Sequence, residues 1–537
     1  MFWADQIVAE SNDRQVIVND SKTPSGRVHV GSLRGVVIHD VIYRAFQYAG
    51  KSVRFLYGVD DYDALDTVPR YLDPEKFNPY LGYPLCNVPS PQEHDRPEAS
   101  DYAKYFMGEF LESFEYLGVQ PEIYYLRDLY RSGRLNPAID LFLKNAHLVR
   151  EAYLEVSKGI RADNWLPFQV ICENCGKIAT TTVSDYNGKE VFYTCQPDGI
   201  EWVKGCGHSG WVSPFDGNGK LPWKVEWVAK WNLLNITIEL AGKDHSQKGG
   251  SREVANAICR KVLNVSPPFH SPYEFILVNG TKMSSSKGVG SSAKEMTALL
   301  PPELLRFLIL RTRPKSVINF SPNYETITRL FRDYDTLIHK YQDYQENSLT
   351  SDGSTGLPED LMPLFYAQTE NQVKPYQPFD LTTLISLLQI PHLEIKTEIN
   401  QRSTSPLNDR DWQIIDQRLK TAQQWLTNYA DEEEKLVLYL DQIPPQVEQL
   451  TPEQLNYLAT LSDRLGTLSP WDADTLQTTL FAIAKELDLK QPVAFQAVYL
   501  TFLGKERGPK AGALLSYLDQ DFVRDRIQQV SQSLSLS

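Results

Sequence analysis

The chain has 537 residues, of which 42% are hydrophobic, and a formal net charge of −14 at pH 7. Its length exceeds what one hydrophobic core usually supports, so we expect several domains. The negative net charge excludes a protein whose whole surface is basic and binds nucleic acid. It is compatible with a local basic groove. The sequence shows no leader peptide and no apolar run of about 20 residues, so we expect a cytoplasmic protein without membrane spans.

The first predicted elements alternate between strand and helix. Residues 14–20 are a β-branched run that predicts a buried strand, and residues 33–45 have helical spacing that ends near Gly50. Residues 52–59 predict a second strand. Strand, glycine-containing turn, helix and strand form a βαβ unit, which predicts an α/β domain with a Rossmann-type parallel sheet.

A histidine motif lies at the junction of this first strand and helix. His29 precedes Gly31 by two positions and follows the turn Pro24-Ser25-Gly26. A histidine in the first turn of a helix can donate a hydrogen bond to phosphate, and the helix dipole strengthens that contact. Glycine allows a nucleotide to approach the backbone closely. Alone, such a pattern is more often structural than functional.

The middle of the chain contains a cysteine-rich segment. Residues 67–97 predict an irregular excursion and residues 98–158 predict helices, before residues 165–225 become rich in cysteine, glycine and tryptophan. The C-x2-C spacing and the two later cysteines are typical of a structural zinc site, for which the sequence offers Cys172, Cys175, Cys195 and Cys206. His208 is an alternative fourth ligand. Four protein ligands leave no open coordination position, so we expect a structural zinc and not a catalytic one.

A carboxylate follows the next predicted strand. Residues 236–241 predict this strand, and Asp244 comes directly after it beside a glycine. A carboxylate in this position can bind a ribose hydroxyl, although capping of a helix is an equal alternative. Gly249 and Gly250 then open a helix predicted over residues 251–263, as expected beside a crowded nucleotide pocket.

A serine-rich loop with two lysines follows a strand predicted over residues 275–281. Lys282 and Lys287 flank Ser284 and Ser285 in the string Lys-Met-Ser-Ser-Ser-Lys-Gly. Two ammonium groups on a small mobile loop can stabilise the negative charge that develops in phosphoryl or nucleotidyl transfer. The alternative is a solvated basic loop without function.

The order of these motifs resembles a known family. The segments 24–32 and 282–288 resemble the two signature motifs of the class I aminoacyl-tRNA synthetases. Over about the first 340 residues the chain is similar to the class I lysyl-tRNA synthetases, through these further landmarks: Cys172–Gly176, Ser213–Phe215, Leu221–Trp227, Gly242–His245 and Gly249–Ser251. Ser32 departs from the pattern, since a histidine often stands there in class I enzymes.

The resemblance implies a lysine–tRNA ligase. Such an enzyme forms lysyl-adenylate from ATP and lysine with Mg²⁺, and passes the lysyl group to the terminal adenosine ribose of tRNA(Lys). Two alternatives remain. One is a class I synthetase for glutamate, glutamine, cysteine or arginine, and the other is an inactive paralogue that binds tRNA.

The same resemblance implies roles for individual residues. The catalytic residues would be His29, Lys282 and Lys287. The ATP-binding residues would include these three together with Gly31, Asp244, Gly249, Gly250, Ser284 and Ser285. For lysine, an ammonium requires a carboxylate or other acceptors, and its methylene stem requires an apolar or aromatic wall. The candidates are Thr23, Trp223, Glu226 and His245, of which the resemblance supports Trp223 and His245.

The C-terminal part predicts helices and a further partner surface. From the resemblance and the element pattern we predict five segments: 1–85 and 221–290 as the two halves of the catalytic domain, 86–220 as the zinc-bearing insertion, 291–345 as a helical stem-contact region, and 346–537 as an all-helical anticodon-binding region. We expect a monomer. A basic stretch could contact tRNA phosphates, and it comprises Arg306, Arg311, Arg313, Lys315, Arg329 and Arg332.

Overall fold

The chain folds into two compact units in the computed structural model. The structure describes residues 1–11, 15–91, 96–278, 280, 292–348, 357–370, 372–390 and 393–535. The first unit comprises residues 1–321 and 333–375, and the second comprises residues 322–332 and 376–537. No helix of the described ranges is long and apolar enough to cross a membrane.

All strands of the described residues lie in the first unit. In chain order they are β1 (Val16–Lys22), β2 (Val53–Val59), β3 (Glu122–Tyr125), β4 (Gln169–Val170), β5 (Thr181–Tyr186), β6 (Val191–Cys195), β7 (Ser209–Val212), β8 (Gly219–Lys220), β9 (Ala241–Gly242), β10 (Pro272–Tyr273), β11 (Ile276–Val278) and β12 (Ile318–Phe320). The described helices of this unit are α1 (Trp3–Glu10), α2 (Gly31–Tyr48), α3 (Pro74–Phe77), α4 (Tyr102–Tyr116), α5 (Leu126–Arg131), α6 (Asn136–Lys144), α7 (Ala146–Ser157), α8 (Trp223–Leu234), α9 (Ser251–Ile258), α10 (Ala293–Leu299), α11 (Pro302–Leu310) and α13 (Met362–Ala367).

The predicted parallel sheet is confirmed. Strands β1, β2 and β3 pair in that order, all parallel, with Val16 opposite Val53 and Lys22 opposite Val59. On the other side of β1, Ile238 forms parallel bridges to Val18 and Phe269. The pairs β9–β10 and β11–β12 are also parallel. Parallel strands end at one edge of the sheet, and that edge is where ligands bind in open α/β folds.

Strand β3 contradicts the helices predicted throughout residues 98–158. It has only four residues, and Glu122 and Ile123 at its start are exposed. A strand this short has no alternating apolar pattern, so its side chains do not reveal it. Its existence follows from pairing with β2, a long-range contact that local sequence does not encode.

Helix α2 connects β1 to β2 and packs its apolar side against the sheet, with Leu33, Val36, Val37 and Val41 all buried. Its core-facing side also carries charge. Asp40 accepts from Arg306 at 2.7 Å and from Arg44 at 2.9 Å, and these side chains are buried. Arg306 further donates to the carbonyls of Leu117 and Tyr366. Buried charges require such partners, because water is not available to solvate them.

The tRNA-contact prediction is therefore wrong for Arg306. Its side chain is 0% exposed, so it cannot meet a phosphate. Arg311, Arg313 and Lys315 are exposed as expected for a basic surface, as are Arg329 and Arg332.

The second unit contains helices and no strand in its described residues. Helix α12 (Tyr324–Ser348) begins in it, followed by α14 (Leu381–Leu387), α15 (Ile395–Arg402), α16 (Asp409–Asn428), α17 (Pro452–Leu465), α18 (Ala473–Glu486), α19 (Gln491–Leu503), α20 (Ala511–Ser516) and α21 (Gln520–Ser535). Leu461, Leu480, Val498 and Val523 lie in the core of the last five helices. Trp425 on α16 is fully buried and donates its indole N–H to the carbonyl of Pro322.

Candidate active site

A cavity of about 480 Å³ opens at the carboxyl edge of the parallel sheet, within the first unit. Its walls come from six places in the sequence: the end of β1, the start of α2, the end of β2 with the turn after it, the first eight residues of α8, the segment around β9, and residues 273–276 of β10 and β11. The βαβ topology explains this convergence, since each loop that leaves a parallel strand emerges at the same edge.

Three of the residues predicted to bind nucleotide line this cavity together. They are His29, Gly31 and Asp244. His29 pairs as an antiparallel bridge with Ser292, and Gly31 begins α2. Asp244 folds back over Gly242, where an added Cβ would lie 2.7 Å from the Asp244 Oδ1 atom. A side chain at position 242 would therefore displace the Asp244 carboxylate from its present position.

Gly249 and Gly250, both described, lie outside the lining of the cavity at the start of α9. Gly249 has φ of +73° and donates its N–H to Glu253 at 2.7 Å. A Cβ on Gly250 would lie 2.5 Å from the Gln247 carbonyl oxygen, so this turn tolerates no side chain. The predicted loop residues Lys282, Ser284, Ser285 and Lys287 lie outside the described residues.

The residues predicted to bind lysine also line the cavity, namely Thr23, Trp223, Glu226 and His245. Thr23 donates its hydroxyl to Asp63 at 2.6 Å. The other Asp63 oxygen accepts from Lys220, which also lies 3.2 Å from Glu226. Glu226 accepts from Tyr130 through its second oxygen at 2.6 Å. Burial raises the pKa of Glu226 to about 7 against the opposing effect of Lys220.

A second buried ion pair stands beside the first. Lys230 on α8 donates to Asp60 at 2.7 Å, and the other Asp60 oxygen accepts from Ser21 at 3.0 Å. Burial alone would lower the pKa of Lys230, but Asp60 and its neighbours raise it above the usual value, so the ammonium stays charged. The negative charges of Asp60 and Asp63 are therefore neutralised within the protein.

Asp20 differs from these paired carboxylates. It lies on β1, and among the described residues no lysine or arginine nitrogen comes within 4 Å of it. Its neighbour His39, 3.6 Å away, accepts the Leu240 N–H through Nε2 and donates from Nδ1 to the Gly35 carbonyl, as a neutral ring does. Burial lowers the pKa of His39 to about 4. Burial also raises the pKa of Asp20 to about 7.

Aromatic rings form one wall of the cavity. Trp223 lies 5.6 Å from the ring of His245 and 5.9 Å from that of Trp227. Trp227 donates its indole N–H to Glu239 at 2.8 Å, and Glu239 also accepts from Asn19 at 2.6 Å. These bonds fix Trp227, while Trp223 is 43% exposed at the mouth of the cavity.

Sequence reasoning missed Lys220 and Lys230, which neutralise the carboxylates of the cavity. Lys230 stands in the string Trp-Val-Ala-Lys-Trp, among apolar residues of α8 that are buried. A lysine within an apolar helical run is a usable signal, because such a residue is rarely buried without an acidic partner.

The four predicted cysteines come together in the first unit. The sulfurs of Cys172, Cys175, Cys195 and Cys206 all lie within 4.8 Å of one another. Cys172 and Cys206 are 3.6 Å apart, and Cys175 and Cys195 are 3.7 Å apart. A tetrahedral site with Zn–S bonds of about 2.3 Å has S···S edges of about 3.8 Å, close to both distances. The geometry thus favours Cys206 over His208 as the fourth ligand.

Two tight turns and a small sheet hold these sulfurs. Gly176 follows the first cysteine pair with φ of +75°, and Gly207 follows Cys206 with φ of +79°. Cys195 ends β6, the central strand of the antiparallel sheet β5–β6–β7. Its N–H donates to the His208 carbonyl at 2.8 Å, so His208 contributes its backbone to the turn.

Comparisons with known proteins agree with this architecture. Residues 1–355 match the family described as tRNA synthetases class I (K), and residues 397–531 match an anticodon binding domain. The chain is 32% identical to the lysine–tRNA ligase of Archaeoglobus fulgidus over 535 residues, which cover 98% of this chain and 99% of that protein. It is 33% identical to the lysine–tRNA ligase of Methanocaldococcus jannaschii, over 97% and 98% of the two chains. It is 31% identical to that of Thermoplasma volcanium, over 99% of each chain.

Proposed function

The chain belongs to the class I (K) tRNA synthetases, and on that basis we propose that it is a lysine–tRNA ligase. The lysine carboxylate attacks the α-phosphorus of ATP, pyrophosphate leaves, and lysyl-adenylate forms. A ribose hydroxyl of the terminal adenosine of tRNA(Lys) then attacks the acyl carbon, and AMP leaves. The alternatives for glutamate, glutamine, cysteine or arginine and the inactive paralogue are not favoured, since full-length relatives are lysine–tRNA ligases.

One observation supports this proposal most strongly. The nucleotide residues His29 and Asp244 share a cavity with Asp20, a carboxylate without a lysine or arginine partner within 4 Å among the described residues. A substrate that brings its own ammonium group supplies that partner. The α-ammonium group of any amino acid, or the ε-ammonium group of lysine, can be this partner, so Asp20 supports an amino-acid site and the choice of lysine rests on the full-length relatives.

For the nucleotide, we propose that His29 donates to the phosphates at the start of α2 and that Gly31 gives the adenosine close access to the backbone. Asp244 would accept from the ribose hydroxyls. Gly249 and Gly250 support the turn that carries Asp244. In this proposal the loop of residues 282–288 would bind the β- and γ-phosphates and their Mg²⁺.

The lysine loop completes the ATP site in this proposal. Lys282 and Lys287 would neutralise charge on the triphosphate as pyrophosphate departs, and Ser284 and Ser285 would donate hydroxyl hydrogen bonds to it. Mg²⁺, when present with ATP, would supply further positive charge to the phosphates. His29 and the two lysines are thus the catalytic residues we propose.

For the amino acid, we propose that Asp20 binds the ε-ammonium group and that Trp223 and His245 cover the methylene stem. Thr23 and Glu226 line the same space, but the Thr23 hydroxyl and both Glu226 oxygens are already hydrogen-bonded or ion-paired. We therefore assign these two residues to holding Lys220 and Asp63 in place.

We also propose that the insertion binds one structural Zn²⁺ through Cys172, Cys175, Cys195 and Cys206. The sulfur spacing and the two glycine turns support it. With four thiolates the ion has no open position for substrate, so its role is to hold the β5–β6–β7 sheet together. The helical second unit would contact the anticodon of tRNA, in agreement with its family match.

Charging of total tRNA with each amino acid in turn, in the presence of ATP, tests the proposal. We expect lysine alone to become tRNA-bound. Charging with another amino acid would reject Asp20 as the basis of specificity while retaining the reaction. Binding of tRNA without charging by any amino acid would reject the proposal that this protein is an enzyme.

A further inference from the structure

A buried carboxylate on α4 faces two cations that come from the two signature segments of the sequence. Glu109 is 4% exposed, and its Oε2 atom lies 3.7 Å from the Nε atom of Arg27 and 3.7 Å from the Nζ atom of Lys294. Arg27 stands two residues before His29. Lys294 lies in the first turn of α10, shortly after the string Lys282–Gly288 in the sequence. One carboxylate therefore joins the two parts of the chain to which we assign the triphosphate.

The backbones of these two parts pair with each other. His29 forms an antiparallel bridge with Ser292, and the residues next to them add a backbone N–H···O bond of 2.9 Å. In an antiparallel pair, a residue two positions before one member stands opposite the residue two positions after the other. This register brings Arg27 opposite Lys294, which agrees with their common contact to Glu109.

The two facing cations would repel each other without the carboxylate. Like charges directly opposite each other destabilise the pairing of two chain segments. Each cation is about half exposed, at 44% for Arg27 and 52% for Lys294, so water solvates both. The carboxylate itself gains little, because burial of an ionised group costs free energy that ion pairs at 3.7 Å offset only in part. The charge of Glu109 is thus better explained by its effect on its two neighbours than by its own stability.

Other contacts hold Arg27 toward this carboxylate. Its backbone N–H donates to the Tyr71 hydroxyl at 2.6 Å, and its guanidinium carbon lies 5.3 Å from the centre of the Tyr71 ring. Tyr102, which precedes Glu109 on α4, donates its hydroxyl to the Ser25 carbonyl at 3.0 Å. Helix α4 therefore contacts the turn before the histidine motif at two points, and the Glu109 contact is the one that depends on charge.

We propose that Glu109 is a positioning residue for the ligase reaction. Its negative charge cancels the repulsion between Arg27 and Lys294, and it thereby keeps His29 in register with the segment that follows the two catalytic lysines. The inference rests on the proposed function, because this register matters only if both segments act on one triphosphate. Catalysis by positioning is sensitive to displacements of about 1 Å, which can cost about 100-fold in rate.

Removal of the carboxylate charge, with and without removal of the repulsion, tests this role. The variants are Glu109→Gln, which keeps the shape of the side chain, Lys294→Gln, and the double variant with both changes. Glu115→Gln is the matched control, because Glu115 is an exposed glutamate on the same helix. Charging of tRNA(Lys) with lysine gives kcat and KM for each full-length protein at several salt concentrations, and thermal melting measures its stability.

We expect Glu109→Gln to lower kcat by about 10- to 100-fold, with an unchanged KM for lysine and an unchanged melting temperature. The KM stays constant because the residues proposed to bind lysine come from other segments. The double variant should recover most of the lost rate, since Arg27 then faces no like charge. Higher salt should also reduce the defect relative to wild type, because salt screens repulsion between exposed charges. Glu115→Gln should charge tRNA like wild type.

A wild-type rate in Glu109→Gln would overturn the assignment. A defect that persists in the double variant and at high salt would overturn it as well, because packing and not charge would then be responsible. A lower KM for ATP in Glu109→Gln would mean that Arg27 and Lys294 serve the triphosphate directly, which also contradicts a positioning role. Failure of the proposed function is distinguishable, because wild type itself would then charge no tRNA with lysine.

Discussion

Lysine affinity should depend on pH through Asp20. Burial raises the pKa of this carboxyl group to about 7, so it is mostly protonated at pH 6 and mostly ionised at pH 8. Only the ionised form attracts the ammonium group of lysine. With a pKa of about 7, the ionised fraction rises from roughly 10% to roughly 90%, so lysine should bind about tenfold more tightly at pH 8 than at pH 6. Calorimetric titration of the protein with lysine at several pH values measures this change directly.

Two substitutions test whether Asp20 is the group responsible. Asp20→Asn should raise the Kd for lysine by about 10- to 150-fold, as expected for a lost hydrogen bond to a charged group worth about 1.5–3 kcal/mol, and should remove the pH dependence. Asp63→Asn is the matched control. Lys220 holds the pKa of Asp63 below its usual value despite burial, so this variant should keep the tenfold rise. A pH profile that persists in Asp20→Asn would refute the reasoning.

Three other substitutions have defined expected results. Lys287→Ala should lower the charging rate by about 10²- to 10³-fold with an unchanged melting temperature, and near wild-type activity would reject its role. Cys175→Ser should abolish bound zinc in elemental analysis and lower the melting temperature, whereas Cys259→Ser, outside the cluster, should retain the metal. Arg306→Met should destabilise the protein by about 3–5 kcal/mol in denaturant unfolding, because it leaves buried Asp40 without a main partner. Arg311→Met, at an exposed ion pair, should cost at most about 1 kcal/mol.

The local parts of this structure could be predicted from sequence. The first βαβ unit follows from a β-branched run, a glycine-containing turn and helical spacing, and it lies within two or three residues of the expected positions. The cysteine cluster follows from spacing alone, because C-x2-C with two later cysteines is typical of a tetrahedral metal site. The sequence also predicted that His29 and Asp244 lie in one cavity, since motifs at the ends of parallel strands meet at one edge of the sheet.

The electrostatic arrangement could not be predicted, because it depends on pairings between distant segments. Glu226 was a reasonable partner for a substrate ammonium until the structure placed Lys220 and Tyr130 against it. From the sequence alone Arg306 was predicted to be an exposed cation, and only the approach of Asp40 from α2 explains its burial. The fold determines which charged side chains form ion pairs. A sequence pattern contains the residue types but not their partners.

The cavity is closed by contacts between segments that lie far apart in the sequence, and this separation has a consequence for the synthesis of the chain. Asn19 and Ile17 on β1 bond to Glu239 and Thr237, which are 220 residues later in the chain. At about 5–20 residues per second, a ribosome takes on the order of 10–40 s to produce that segment. During this interval the apolar face of α2 and one edge of β1 emerge without their eventual neighbours. We therefore expect the nascent first half to depend on chaperones, and slower translation to lengthen the period in which it can aggregate.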